Sequence, residues 1–69
     1  MENKFGSNLK SLRTESKLSQ AKLAGMLGVT QQCISEWEQS NIEPTLSYLW
    51  KLSDIFEISI DELVGKREF

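Results

Sequence analysis

A chain of 69 residues has room for one small domain, a size at which a single hydrophobic core is just sufficient and pairing with a second copy often adds burial. With 39% hydrophobic residues, 26% charged residues and a net charge of −2, it reads as an ordinary globular chain; no stretch approaches the ~20 apolar residues of a membrane span and MENKFGSNLK lacks the apolar core of a signal peptide, so a cytosolic protein without a membrane partner is expected. One cysteine, Cys33, and no histidine remove internal disulfides, the usual zinc-ligand sets and the common nucleophile-base arrangements, so no enzyme, metal or cofactor is expected.

The first apolar stripe, Phe5, Leu9 and Leu12, predicts a helix at about 4–16. Leu18-Ser19 followed by Leu23 has the spacing of a hydrophobic staple around a hydroxyl cap and starts a second helix at about 20–27, with Leu23 and Leu27 inward. Gly28 stands where a helix ends in a left-handed residue, and Ala24, one turn earlier, is small enough to admit a neighbouring helix. Val29-Thr30 with Ile34 repeats the staple and opens a third helix at about 31–39, with Ile34 and Trp37 inward. Only about three residues separate these two helices, which sets them at a steep angle.

Pro44 disfavours helix at Glu43, and Thr45 is placed to cap a fourth helix at about 46–56 whose stripe is Leu46, Leu49, Leu52 and Phe56. Ile58-Ser59 with Leu63 is a third staple, completed by Glu62 as a capping box, and predicts a fifth helix at about 60–64 with Leu63 and Val64 inward. No strand pattern competes. The fold class is all-α, in a single domain over residues 1–69.

Gln20, Ala24, Gly28, Ile34 and Trp37 occupy the marked positions of a helix-turn-helix at about 20–39. Downstream, Pro44-Thr45-Leu46, Leu49, Lys51-Leu52 and Ile58 to Leu63 continue the match through the helices at about 46–64. The whole chain thus resembles the lambdoid repressor and Cro-like family. That resemblance implies a compact five-helix lambda-repressor-like domain acting as a sequence-specific transcriptional regulator. It further implies a homodimeric repressor that binds a pseudo-palindromic operator in double-stranded DNA, with the 31–39 helix in the major groove and no small-molecule ligand.

Placing Ile34 and Trp37 inward turns Gln32, Ser35, Glu36 and Gln39 outward, with Gln31 at the N-terminal flank. Glutamine donates and accepts at once and matches adenine N6 and N7, worth about 1–3 kcal/mol of discrimination. Gln31, Gln32, Ser35 and Glu36 are therefore the base-reading candidates; the bland alternative for the glutamines is solvated helix surface. Glu36 departs from the family, which often carries Lys, Arg or Gln there. It would either accept from cytosine N4 or repel the DNA backbone, and repulsion is the favoured reading.

Residues 1–22 carry five cations against Glu2 and Glu15, a net +3, whereas residues 23–64 carry only Lys51 against seven carboxylates, a net −6. Backbone contacts are accordingly assigned to Gln20, Lys10, Lys17, Lys22, Thr30 and Gln39, with Lys4 and Lys51 as weaker candidates. Glu38 lies about 40° around the helix from Ile34, toward the body of the domain. In the resembling family such an acid pairs with an arginine of the first helix, which implies a structural Arg13–Glu38 pair.

Cys33 reads as a small side chain near a thymine methyl or sugar rather than a redox switch. Trp50 lies roughly 110° off its helix's stripe and, with Ile58, Ile60 and Phe69, forms the candidate dimer interface. A rival reading keeps the scaffold but turns the acidic 36–43 face to a protein partner.

Overall fold

Each predicted stripe becomes a helix. In the computed structural model, which describes residues 4–65, these are α1 Phe5–Glu15, α2 Gln20–Leu27, α3 Gln31–Glu38, α4 Leu46–Phe56 and α5 Ile60–Val64. No strand occurs among the described residues, and none of the helices is long and apolar enough to cross a membrane. Ser19 accepts from the Lys22 N–H at 3.0 Å, Thr30 from the Cys33 N–H at 3.1 Å, and Ser59 with Glu62 forms the full capping box. Thr45 differs from expectation. It holds the extended cap conformation, and its carbonyl accepts from the Tyr48 and Leu49 N–H groups, but its hydroxyl makes no capping bond.

α1 and α3 stop one residue earlier than their patterns suggest, because the chain turns left-handed soon after each. Lys17 (φ 59°) and Ser40 (φ 63°) take the position usually held by glycine. After α1, the Leu18 N–H returns to the Arg13 carbonyl and the Lys17 N–H to that of Thr14; after α3, Asn41 returns to Glu36 and Ser40 to Trp37. Both are Schellman closures, which satisfy carbonyls left over at the helix end. Gly28 (φ 73°) closes α2 as its sequence position predicts.

The core is Phe5, Leu9, Leu12, Leu23, Ala24, Leu27, Ile34, Trp37, Leu52 and Leu63. Leu18, Val29 and Ile58, the outer members of the three staples, pack half-buried against it, as do Leu49, Phe56 and Val64. Leu46 does not join them: it is 65% exposed. Six residues before Leu52, it stands about 120° around the helix from that fully buried side chain, and so belongs to the solvent face of α4. Tyr48 fills the core edge instead, its ring 5.5 Å from Trp37, while Phe5 meets Trp37 edge-on at 6.3 Å.

Two close approaches hold α1 in place. Gly6 is buried against the end of α3, where an added Cβ would lie 2.8 Å from both the Trp37 and Glu38 carbonyl oxygens and 2.7 Å from the Ser40 hydroxyl. Asn8 Nδ2 donates to the Glu62 and Leu63 carbonyls at 3.3 and 3.2 Å, and the Lys4 N–H donates to Val64 at 2.9 Å, so α1 closes the last turn of α5.

Candidate nucleic-acid interface

α3 is aimed by its surroundings before any of its outward residues is considered. Gly28 lets the chain reverse within three residues, Ala24 is small and buried beneath the crossing, and Ile34 and Trp37 lock the inner face at 0% and 2% exposure. What remains outward is Gln31, Gln32, Ser35, Glu36 and Gln39. Gln31 is exposed at the first turn and its amide makes no hydrogen bond among the described residues.

The other outward residues are linked to one another. Gln32 Nε2 donates to Glu36 Oε1 at 2.7 Å, and Gln39 Nε2 donates to the Ser35 hydroxyl at 2.8 Å, both one helical turn apart. Asn41, brought back over the helix end by the left-handed Ser40, joins the two pairs: its Nδ2 donates to Glu36 Oε2 at 3.2 Å and reaches Gln39 Oε1 at 3.4 Å. Asn41 was not visible as a site residue in the sequence, because its position depends on a non-glycine residue adopting φ 63°. Glu36 is thus half-buried, with both carboxylate oxygens held by neutral amides.

Glu38 belongs to a separate network. Its carboxylate, with the side chain only 4% exposed, accepts from Arg13 Nε at 2.6 Å and Arg13 NH2 at 3.1 Å, a two-pronged pairing that suits guanidinium geometry. Arg13 NH1 also donates to the Leu18 carbonyl at 2.8 Å, tying α3 to α1 and to the turn before α2. The Glu38 hydrogen bond raises the Arg13 pKa, desolvation opposes that, and the attraction of the two charges adds to it.

Gln20, assigned from sequence to the DNA backbone, turns its amide inward instead, donating to Glu38 Oε1 at 3.0 Å. At that helix end the Gln20 and Ala21 N–H groups have no intrahelical acceptor and remain as anion donors. Lys10, Lys17 and Lys22 are exposed, as is Thr30, whose hydroxyl is engaged as the cap of α3. Lys51 places its ammonium 5.5 Å from the centre of the Tyr48 ring. Cys33 is a free thiol, half-buried at the edge of the core.

On the far side, Trp50 is 62% exposed and lines a shallow groove with Ser53, Asp54, Ser59, Ile60 and Asp61. Leu46 lies about 40° from Trp50 around α4, so the two extend one apolar face. Ile58 is half-buried against the core, and Phe69 lies outside the described residues.

The helix-turn-helix family matches residues 9–63. The SPbeta prophage-derived HTH-type transcriptional regulator YonR of Bacillus subtilis is 42% identical over 60 residues, 87% of this chain and 56% of that protein. A crystal structure of the P22 c2 repressor protein in complex with synthetic operator 9T is similar with a TM-score of 0.84 and 35% identity, covering 91% of this chain and 96% of that one. A crystal structure of a transcriptional regulator from Listeria innocua has a TM-score of 0.92 at 29% identity, covering 100% of this chain and 64% of that one. The chain spans 56%, 31% and 52% of the lengths of three curated relatives it matches.

Proposed function

The chain belongs to the helix-turn-helix family, and from that premise we propose that it is a sequence-specific DNA-binding transcriptional regulator, a dimeric cytoplasmic repressor of a pseudo-palindromic operator. The observation that carries this reading is α3 itself: a helix fixed on its inner face by Ile34 and Trp37, capped by Thr30, and presenting Gln31, Gln32 and Ser35 near its N-terminal end. Base edges in the major groove are read by such side chains, and phosphate is held by N–H groups and lysines around them. The similarity to an operator-bound repressor over 91% of the chain supports the same assignment. Gln31 and Gln32 read A·T-containing steps; Lys10, Lys17, Lys22 and the start of α2 hold the backbone.

The supply of cations is thin, since the segment 31–43 has no lysine or arginine. With about 3 phosphates neutralised per subunit, a dimer shows a slope of log affinity against log salt near −5. Fluorescence anisotropy on pooled genomic DNA across a salt series checks this. Binding with such a slope supports the proposal, whereas no binding even at low salt favours the rival, a protein-interaction module that uses the acidic face around Glu36 and Glu43.

Two subunits meet, in this proposal, through Trp50, Ile58 and Ile60, with Leu46 extending the patch. Binding two half-sites one helical turn apart requires the two α3 helices of such a dimer to lie about 34 Å apart. Trp50→Ala shifts sedimentation toward the monomer at concentrations where the parent chain is dimeric; an unchanged profile removes Trp50 from the interface.

A further inference from the structure

We infer that Glu36 is a specificity-determining positioning residue, which fixes the polarity of the Gln32 amide and so makes Gln32 a reader of bases that present an amino group in the major groove, adenine and cytosine. The inference rests on the proposal that α3 reads DNA. A glutamine amide has a donor end and an acceptor end and exchanges them by a half-turn about its last torsion. Glu36 removes that freedom. A carboxylate offers only acceptors, so the end of Gln32 lying 2.7 Å from Glu36 Oε1 is necessarily the NH2 group. The Gln32 oxygen, with no partner among the described residues, is left to face the groove.

An i,i+4 contact between exposed side chains is weak by itself, and Asn41 supplies the restraint it lacks. By donating to Glu36 Oε2 at 3.2 Å, Asn41 holds the carboxylate from the opposite side, and its own place is set by the backbone bond from its N–H to the Glu36 carbonyl. The polarity of Gln32 is therefore built into the end of α3 before DNA arrives. Adenine N6 and cytosine N4 donate in the major groove, whereas guanine O6 and N7 and thymine O4 only accept. An outward oxygen selects the first pair and rejects the second; the remaining Nε2 hydrogen is free to reach N7 when the base is adenine. Neither direct reading of cytosine by Glu36 nor repulsion of the backbone is needed to explain an acid on this face.

A binding selection from a randomised half-site, run on the full chain and on Glu36→Gln, Gln32→Ala and the double variant, tests the inference. Glutamine at position 36 is nearly isosteric but faces Gln32 with either a donor or an acceptor, so the polarity is released. The parent chain is expected to favour adenine or cytosine over guanine and thymine by at least about fivefold at one half-site position. Glu36→Gln is expected to cut that preference to less than about twofold there while preferences at other positions persist. The double variant is expected to match Gln32→Ala alone, since Glu36 acts through Gln32. An unchanged preference in Glu36→Gln overturns the inference, as does a further change on adding Glu36→Gln to Gln32→Ala, which would place Glu36 on the base itself. If the parent chain enriches no sequence at all, the DNA-reading proposal falls and this inference with it.

Discussion

Gly6→Ala lowers the midpoint of thermal unfolding by about 10 °C, although the substitution replaces a helical glycine by the best helix former. On propensity alone, alanine gains roughly 0.5–1 kcal/mol, because glycine loses more chain entropy on folding. The packing reverses the sign. The added methyl would sit 2.8 Å from the Trp37 and Glu38 carbonyl oxygens, and these belong to the backbone at the end of α3, which no rotamer change can move aside. Overpacking of this kind costs about 1–3 kcal/mol or more, and about 4–8 °C accompanies each kcal/mol in a domain of this size. Gly25→Ala is the matched control: also helical, but with nothing within 4 Å of its added Cβ, it raises the midpoint by a few degrees. A thermal melt followed by circular dichroism decides both. Equal or higher stability of Gly6→Ala would mean that α1 can withdraw from α3 at little cost.

Gly6 also shows where sequence reading reaches its limit. The starts of α2, α3 and α5 were legible because a cap and its flanking apolar pair lie within five residues of one another, and the end of α2 because Gly28 is a glycine where one is needed. Glycine in the first turn of a helix, by contrast, carries no local signal of what approaches it from 31 or more residues away. Asn8 and Tyr48 share that property, since each matters through a partner on another helix, the α5 carbonyls or Trp37; Asn41 is only five residues from Glu36, but its place depends on the left-handed Ser40 between them. Leu46 misled for the converse reason, since its hydrophobicity was local but its angle on α4 points away from Leu52. Lys17, Ser40 and Glu57 adopt left-handed conformations with no compositional cue, so the turns they make could not be placed.

The candidate site divides along the same line. Periodicity alone turned Gln32, Ser35 and Glu36 outward and Glu38 inward, and the family resemblance supplied Arg13 as the partner of Glu38. Which polar groups face each other on a surface is a matter of single torsions. Hence the Gln32–Glu36–Asn41 linkage and the inward turn of Gln20 emerge only from the folded structure.

Glu38→Gln destabilises the domain by about 3–5 kcal/mol, because it strands a guanidinium that has no other anion beside it among the described residues. Total stability for a chain of this length is roughly 3–10 kcal/mol, so the loss is a large fraction of the whole. The pair is not thereby a strong net source of stability, since desolvating both charges offsets most of their attraction. The diagnostic is the double change Arg13→Met with Glu38→Leu, which removes both charges while keeping apolar bulk and is expected to recover most of the loss. Urea denaturation of the parent, Arg13→Met, Glu38→Leu and the double variant closes the cycle, with Glu38→Gln measured beside them. Arg13's own share carries a simple pH sign: with its folded pKa raised above the unfolded value, its contribution is complete below the unfolded pKa and is lost only as pH rises through the folded one, in strong alkali. Protonation of Arg13 therefore cannot account for any change in stability between neutral and mildly alkaline pH. A Glu38→Gln variant as stable as the parent would show that Gln20 and water replace the carboxylate adequately, and that α3 is held at its far end by Trp37 packing alone.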